Sequence, residues 1–315
     1  MTDDIWVWHY ELKSSSALNS VSKRTRHPGA LVRVGAGFGC VHPWPELGDL
    51  PLDEQLRLIV EGNPTRLASI SLQCAAIDGE ARQRGVSLFE NFDRDIPASH
   101  WLYLEGDDVE TIQQQGFTTV KIKIGPQLDR IELIESAAQA GLLIRLDANG
   151  SFSFSQFTDW WQTIPDGVKK KIEFVEDPVP WNWWNWNYLE QSGVPLAVDR
   201  DLEKRRTVGS WAIVKPAVNH DSELLSWIEK RDLQVAVTSY MDHPLGQMWA
   251  AYGALLLDQR NTEMTGECGL LSQRCFTETD FSARIRTTGN VLQKPEGTGL
   301  GFDDLLEALP WTRLS

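Results

Sequence analysis

The chain has 315 residues, of which 42% are hydrophobic and 23% charged, a composition typical of a globular protein rather than a disordered or fibrous one. The length corresponds to about two domains, or to one large barrel with an appendage. A formal net charge of −14 repels phosphate backbones and anionic lipids, so we predict no nucleic-acid partner and no membrane partner.

The N-terminal segment and the cysteines bear on the cellular compartment. The opening residues, MTDDIWVWHYELK, are acidic where a signal peptide is basic, and no run approaches the roughly 20 apolar residues that span a bilayer. The spacing of Cys40, Cys74, Cys268 and Cys275 is too irregular for a disulfide framework or a zinc site. We therefore predict a cytoplasmic protein with reduced thiols, and leave its oligomeric state open.

The N-terminal part of the chain predicts an α+β module. The segments IWVWHY and LVRVGAGFG are rich in alternating apolar residues and are interrupted by glycine and proline, which is typical of β-strands. Two helical segments follow, PLDEQLRLIVEG and LASISLQCAAIDGEARQRG, and the second is predicted to end at Gly85. Together they indicate a module of sheet and helices that precedes the main body of the chain.

The rest of the chain alternates short apolar runs with amphipathic helical segments. The runs are SHWLYLE, TTVKIKIG, LLIRLDANG, IEFVEDPVP, PLAVDRD, WAIVKPA, LQVAVTSY and EMTGECG. Eight strand–helix units predict an α/β protein of the TIM (β/α)8-barrel type, although seven and eight units are hard to tell apart. A tail with many glycines and prolines, VLQKPEGTGLGFDDLLEALPW, comes last and is able to pack against the N-terminal module.

Ionisable residues end five successive predicted strands. They are Lys121 with Lys123, then Asp147, Glu176, Asp199 and Lys215, each about one strand–helix unit after the one before. In a (β/α)8 barrel the active site lies at the C-terminal ends of the strands. Each residue alone has a plain structural explanation, such as a solvated strand face or a helix cap. Five in register predict a catalytic site.

The three carboxylates in this set predict a divalent metal ion. Asp147, Glu176 and Asp199 come from adjacent strands and would repel one another without a cation between them. Oxygen ligands that leave open positions suit Mg²⁺, with Mn²⁺ as a substitute, better than Ca²⁺ or Zn²⁺. A small-molecule substrate whose carboxylate bound there would have its enolate form stabilised.

Lysines flank these carboxylates on both sides. Lys123 and Lys215 belong to the strands before and after the three, so we predict that they approach a substrate from opposite faces. Lys121 is two residues from Lys123 and points to the same side of its strand, into the barrel. Two neighbouring ammonium groups lower each other's pKa, which makes one of them available as a general base near neutral pH.

These motifs resemble those of the enolase superfamily, in its muconate-cycloisomerase-like subgroup. The resemblance covers nearly the whole chain and rests on VKIKIG, LDANGSFS, FVEDPVP, LAVDRDL, IVKPA and the tail GTGLGFDD. It implies a capping domain, residues 1–95 completed by the tail 289–315, over a modified (β/α)7–8 barrel of residues 96–288 that binds Mg²⁺. Enolate chemistry with lysine or histidine bases and Mg²⁺ is a general pattern of this superfamily.

Within the subgroup the chain is most similar to the o-succinylbenzoate synthases. It is short, and it reads Gly-Glu-Cys at 266–268, where dipeptide epimerases usually have Asp-x-Asp. The similarity implies a lyase that forms o-succinylbenzoate by syn dehydration in menaquinone biosynthesis. Lys123 would remove the α-proton and then protonate the departing hydroxide, Lys215 would stay charged against the face of the dienolate, and Lys121 would tune Lys123.

The same resemblance implies a set of substrate-binding residues. Arg145, two residues before the first carboxylate, is also a feature of the synthases, and Ser239 with the backbone at Gly266 would hold the succinyl carboxylate. The chain departs from the family pattern at Arg200, where a glutamate is usual, and in TSYMDHPLG, which replaces a serine-rich run. The loop at about 14–26, which would close over the substrate, is polar and indicates no specificity.

Two other functions remain open from the sequence. A racemase or epimerase of N-acylamino acids, including N-succinyl derivatives, or a muconate-type cycloisomerase would use the same five residues, with both flanking lysines as acid and base. A catalytically retired, metal-binding barrel is the alternative outside enzymes, and the intact lysine pair argues against it. Four tryptophans, Trp181, Trp183, Trp184 and Trp186, are predicted to serve surface and helix packing or a subunit contact rather than ligand binding.

Overall fold

The structure of the chain is a computed structural model that describes residues 4–18, 22–128, 130–202, 208–219, 222–260 and 265–315, without the side chains of 222–225. The strands are β1 (Ile5–Lys13), β2 (Arg26–Val34), β3 (Gly37–Val41), β4 (Trp101–Leu102), β5 (Thr119–Lys123), β6 (Leu143–Asp147), β7 (Ile172–Glu176), β8 (Leu196–Val198), β9 (Trp211–Val214), β10 (Gln234–Val237), β11 (Thr287–Thr288), β12 (Val291–Leu292) and β13 (Thr312–Arg313). The α-helices are α1 (Leu52–Val60), α2 (Arg66–Gln83), α3 (Val109–Gln114), α4 (Ile131–Gln139), α5 (Phe154–Thr163), α6 (Asp166–Lys169), α7 (Trp183–Gln191), α8 (Ser222–Arg231), α9 (Pro244–Arg260) and α10 (Asp303–Glu307).

The N-terminal module is an antiparallel sheet covered by two helices. Its strands are ordered β13-β1-β2-β3, so the C-terminal tail adds a strand to the edge formed by β1. Helix α2 packs closely on β3: a Cβ on Gly37 would lie 1.9 Å from the carbonyl oxygen of Ala75, so only glycine permits this approach. The second predicted helix does end near Gly85, whose φ of 69° is left-handed.

A buried carboxylate joins this module to the tail. Asp78 on α2 is fully buried and accepts hydrogen bonds from the backbone N–H groups of Phe38 (3.0 Å) and Leu300 (2.7 Å). Arg82, one turn later, donates from Nε to the same carboxylate at 2.6 Å. Because these donors are shielded from water, they depend on the Asp78 carboxylate for their hydrogen bonds, and Asp78 thereby links the sheet, the helix and the tail.

We expect Asp78→Asn to lower the free energy of unfolding by about 2–4 kcal/mol, because an amide cannot satisfy both backbone donors and leaves the buried guanidinium of Arg82 with Asp303 but without its buried charge partner. Urea denaturation followed by circular dichroism measures this loss. Glu80→Gln is the matched control, since Glu80 lies on the exposed face of the same helix, and it should change stability by less than about 0.5 kcal/mol. Equal effects of the two substitutions would contradict the assignment.

The main body is a curled parallel sheet, as the eight apolar runs predict. Its seven strands are in the order β10-β9-β8-β7-β6-β5-β4, which is also their order along the chain. The eighth run forms no strand among its described residues. Instead, single parallel bridges join Thr265 to Val235, Gly269 to Thr238 and Cys268 to Ser99. Residues 265–269 thereby lie between β10 and the start of β4, and the predicted α/β barrel with an α+β module is confirmed.

The four cysteines and Trp186 are buried and contribute to the packing of the protein interior. Trp186 is fully buried and donates from Nε1 to the carbonyl of Val179 at 3.2 Å, whereas Trp184 is 74% exposed. The four cysteines are buried and form no disulfide. In the part of the chain that the structure describes, no helix is both long and apolar enough to cross a membrane.

Candidate active site

The residues that end the central strands line one cavity at the mouth of the barrel. Its barrel wall contains Lys121, Lys123, Asp147, Glu176, Asp199 and Lys215. Strand register explains this arrangement, because Lys123 pairs with Asp147 and Asp147 pairs with Glu176 across β5, β6 and β7. Parallel strands in register bring their C-terminal residues to the same level, so residues far apart in sequence become neighbours.

Lys121 neutralises two of the carboxylates. Its Nζ lies 2.7 Å from Glu176 Oε2 and 3.1 Å from Asp147 Oδ2. Burial disfavours the charged form of Lys121, but the attraction of the surrounding carboxylates outweighs it and raises the pKa of the ammonium group above its ordinary value. Lys121 is therefore held as a cation and is poorly suited to accept a proton.

Lys215 is paired with the third carboxylate from the opposite side. Its Nζ lies 2.5 Å from Asp199 Oδ1 and 2.6 Å from Asp199 Oδ2, so the ammonium group spans both oxygens. Burial opposes the charged form of Asp199, yet the positive charges of Lys215 and Lys121 outweigh it and lower the pKa of the carboxyl. Asp199 is thus a carboxylate throughout the neutral range.

The predicted metal ligands are close together but are not arranged as a metal-binding group. Among the described residues, no set of three or more His, Cys, Asp and Glu side chains has that arrangement. The physical reason is that the lysine ammonium groups lie directly against the carboxylates and compensate the repulsion that a cation would otherwise relieve.

The donor set nevertheless fits a hard divalent cation. Glu176 Oε2 and Asp199 Oδ1 are buried and, within the described structure, accept no well-directed hydrogen bond despite the nearby ammonium groups. Burial raises the pKa of Glu176, and the negative charge of Asp147 adds to the effect. Three carboxylates in one cavity, two of them with an incompletely satisfied oxygen, are ligands that Mg²⁺ and Mn²⁺ accept.

Lys123 differs from the other two lysines. It lines the cavity, and among the described residues no carboxylate forms an ion pair with its Nζ. Burial lowers the pKa of Lys123 below the ordinary lysine value. The negative charge of Asp147 opposes this shift, and the positive charge of Lys121 adds to it. Of the three cavity lysines, Lys123 is therefore the one whose surroundings favour the neutral amine.

Arg200, which stands where the family usually has a glutamate, contacts the surroundings of Asp147. Its Nη2 donates to Asn149 Oδ1 at 2.9 Å, and Asn149 in turn donates from Nδ2 to Asp147 Oδ1 at 2.7 Å. Because a guanidinium only donates, it fixes the orientation of the Asn149 amide, with its N–H₂ group toward Asp147. The unusual arginine thus orients a neighbour of one predicted metal ligand.

The predicted substrate-binding residues divide into two groups. Ser239 lines the cavity and donates to Ser272 Oγ at 2.8 Å. Arg145 is fully buried and is absent from the cavity wall, because it lies two residues before Asp147 on β6 and therefore deeper in the barrel. Gly266 is also outside the wall: a Cβ there would lie 2.5 Å from the ring of Trp211. The geometry does not support direct substrate contacts by Arg145 or Gly266.

Further cavity residues escaped the sequence reasoning. An apolar roof consists of Leu18, Trp44, Leu47, Leu102, Met241 and Leu271, and polar groups come from His100, Gly269 and Ser272. The N-terminal module is tied to the barrel here, since Trp44 Nε1 donates to the carbonyl of Tyr240 at 2.8 Å and Tyr240 donates to Asp49 at 2.9 Å. No sequence period identifies such residues, because they come from loops and short elements of both parts of the chain. Of the predicted closing loop at 14–26, residues 19–21 lie outside the described residues.

Comparison with known proteins agrees with this fold. The family profile described as O-succinylbenzoate synthase, N-terminal domain, matches residues 5–81, and the profile described as enolase C-terminal domain-like matches residues 106–215. The o-succinylbenzoate synthase of Bdellovibrio bacteriovorus is 33% identical over 320 residues, which cover 97% of this chain and 97% of that protein.

Solved structures share the fold at much lower identity. A dipeptide epimerase from Cytophaga hutchinsonii, complexed with Mg and a dipeptide, superposes with a TM-score of 0.77 over 100% of both chains at 17% identity. A muconate lactonizing enzyme from Pseudomonas fluorescens, complexed with muconolactone, gives a TM-score of 0.75 over 95% of both chains at 14% identity. By its full-length relative, its two domain matches and this architecture, the chain belongs to the o-succinylbenzoate synthase family of enzymes within the enolase superfamily.

Proposed function

We propose that the protein is a Mg²⁺-dependent lyase that forms o-succinylbenzoate, as in menaquinone biosynthesis. The observation that carries the proposal is the cavity in which Lys123 and Lys215 stand on the two flanks of Asp147, Glu176 and Asp199. The reaction is the loss of water from a 6-hydroxycyclohexadiene carboxylate that bears a succinyl group at the neighbouring ring carbon. Its product is aromatic, which favours the forward direction.

The three carboxylates would hold the metal ion. Asp147, Glu176 and Asp199 supply the oxygen ligands, and a divalent ion there would stabilise the negative charge that develops on the substrate carboxylate. Lys121, which lies against Asp147 and Glu176, adds a second positive charge at the same place. Arg200 holds Asn149 so that its amide supports Asp147. These contacts keep the carboxylates at the level of the strand ends.

Lys123 is the group that moves the proton. As a neutral amine it accepts the proton from the carbon that bears the carboxylate, and the electron pair of that C–H bond passes into the enolate. The C–O bond then breaks, and the ammonium group of Lys123 returns its proton to the departing hydroxide, so that water leaves and the ring becomes aromatic. One lysine serves both steps when the proton and the hydroxyl leave from the same face.

Lys215 and the roof serve the charged intermediate. Lys215 contacts both oxygens of Asp199, and from the flank opposite Lys123 its positive charge stabilises the delocalised anion. Leu18, Trp44 and Leu47 cover the cavity with apolar surface and limit the access of water. This charge distribution fits an acid–base role for Lys123 and an electrostatic role for Lys215.

The test is turnover in the presence of Mg²⁺ with the hydroxycyclohexadiene substrate, followed by the appearance of o-succinylbenzoate. We expect wild-type protein to catalyse it and a chelator to abolish it. In D₂O, an N-succinylamino acid provides the control, because a racemase would exchange the α-proton and invert the centre. A Lys215→Ala variant that kept α-proton exchange but lost inversion of that amino acid would favour the racemase and overturn the lyase.

A further inference from the structure

His100 lies on the side of the cavity opposite the carboxylates. Its backbone N–H donates to the carbonyl of Cys268 at 2.8 Å, so it stands between β5 and the segment 265–269. The side chain is 6% exposed and belongs to the cavity wall. Sequence reasoning assigned it no role, and the mechanism above does not use it.

Arg145 determines which nitrogen of His100 carries the proton. Arg145 Nη1 lies 2.9 Å from His100 Nδ1, and a guanidinium can only donate, so Nδ1 is the acceptor. In a neutral imidazole the proton is then on Nε2. Burial lowers the pKa of His100 well below the ordinary histidine value, and the charges of Arg145 and Lys121 add to the effect, so the ring stays neutral.

Arg145 is itself held rigidly. Its Nε donates to Glu173 at 2.5 Å and its Nη1 donates to the carbonyl of Glu267 at 2.6 Å. The guanidinium lies over the rings of Phe174 and Trp211, 4.9 and 5.3 Å from their centroids. A cation held by this many contacts at full burial keeps one position, so the orientation it imposes on His100 is fixed.

The Nε2 edge of the ring faces the cavity beside Gly269. A Cβ on Gly269 would lie 2.8 Å from His100 Cε1 and 3.1 Å from His100 Nε2, and both residues belong to the cavity wall. Among the described residues, no group accepts a hydrogen bond from His100 Nε2. Thr238 Oγ1, in the same part of the wall, is also buried without a hydrogen-bond partner in the described structure.

We propose that His100 donates a hydrogen bond from Nε2 to an oxygen of the substrate's succinyl chain, and that Arg145 is its positioning residue. The proposal rests on the proposed lyase function, which supplies the succinyl chain. The ring carboxylate belongs with the charged groups on β5 to β9. The succinyl oxygens lie at a distance from those groups and need hydrogen-bond donors of their own. The imidazole of His100 and the hydroxyl of Thr238, unpartnered within the described residues, are such donors in the cavity wall.

Comparing two ligands, one with and one without the succinyl chain, distinguishes the His100 hydrogen bond from a general effect on binding. Calorimetric titration with o-succinylbenzoate and with benzoate, which lacks the side chain, is carried out on wild type, His100→Phe and His100→Gln in the presence of Mg²⁺. We expect His100→Phe to weaken the binding of o-succinylbenzoate by about tenfold, which corresponds to the loss of one hydrogen bond, and to leave the affinity for benzoate unchanged. The amide N–H of His100→Gln should recover part of the loss. Equal losses for both ligands, or none, would overturn the proposal.

A measurement on the unaltered protein covers the case in which the variants fail to fold. Nitrogen-15 spectra of the histidine rings should show His100 protonated on Nε2, and o-succinylbenzoate but not benzoate should shift that resonance. Arg145→Met should mix the two tautomers, which a merely structural arginine would not do. A ring protonated on Nδ1, or an equal response to both ligands, contradicts the proposal. Wild-type protein that binds neither ligand would instead refute the lyase function.

Discussion

Lys123→Met is expected to reduce kcat by at least about 10³-fold while leaving the fold and the metal affinity intact, because the proposed reaction has no other base in position among the cavity residues that the structure describes. Lys121 is held as a cation against two carboxylates, and Lys215 spans both oxygens of Asp199. Burial lowers the pKa of Lys123 below the ordinary lysine value. Methionine retains the length of the side chain and removes the amine.

The measurement is steady-state turnover together with exchange of the substrate α-proton in D₂O. Both should be lost in Lys123→Met, because proton removal precedes departure of the hydroxide. Lys170→Met is the control, since Lys170 is exposed beyond α6 and outside the cavity, and it should retain full activity. If Lys123→Met kept proton exchange at the wild-type rate, the base would have to be a different residue.

Glu176→Gln is expected to weaken Mg²⁺ or Mn²⁺ binding by at least about 100-fold, more than is typical for residues that only support a ligand. The substitution removes one of three negative charges from a residue that is 2% exposed, where solvent compensates poorly. The neutral amide also removes the ion pair with Lys121, whose Nζ lies 2.7 Å from Glu176 Oε2. Turnover should fall with metal occupancy and recover partly at high metal concentration.

Calorimetric titration with each metal measures this loss directly, without reference to activity. The control is Glu173→Gln, a change of the same residue type on the same strand, because Glu173 contacts Arg145 below the cavity rather than the other carboxylates. It should bind the metal with nearly wild-type affinity. If Glu176→Gln also bound the metal like wild type, the ligand set would not include Glu176, and the metal-dependent lyase would need another site.

The residues that end the strands could be proposed from the sequence because barrel geometry repeats. A charged residue after each apolar run, one strand–helix unit apart, has a predictable position whenever the strands are parallel and in register. The pairing of Lys123 with Asp147 and of Asp147 with Glu176 has that register. Their roles as base and metal ligands remain predictions for the experiments above.

The pattern of charged residues after apolar runs did not predict how deep in the barrel each side chain lies. Arg145 and Asp147 point to the same side of β6, so their spacing does not distinguish them, yet the two-residue step moves Arg145 about 6.6 Å toward the barrel interior. There it lies against the rings of Phe174 and Trp211 and contacts His100 instead of the cavity. In the segment 265–269, it is Gly269 rather than Gly266 that lies in the cavity wall.

The sequence by itself determined the fold class and the charged residues at the strand ends, because strand period and βα spacing are local properties that parallel pairing converts into one site. Only the tertiary structure decided which lysine lies against which carboxylate, how residues 265–269 bridge β10 to the start of β4, and that His100 presents Nε2 to the cavity. Those features depend on contacts between segments such as His100, Arg145 and Gly269. Distances between distant segments follow from packing and not from any periodicity in the chain.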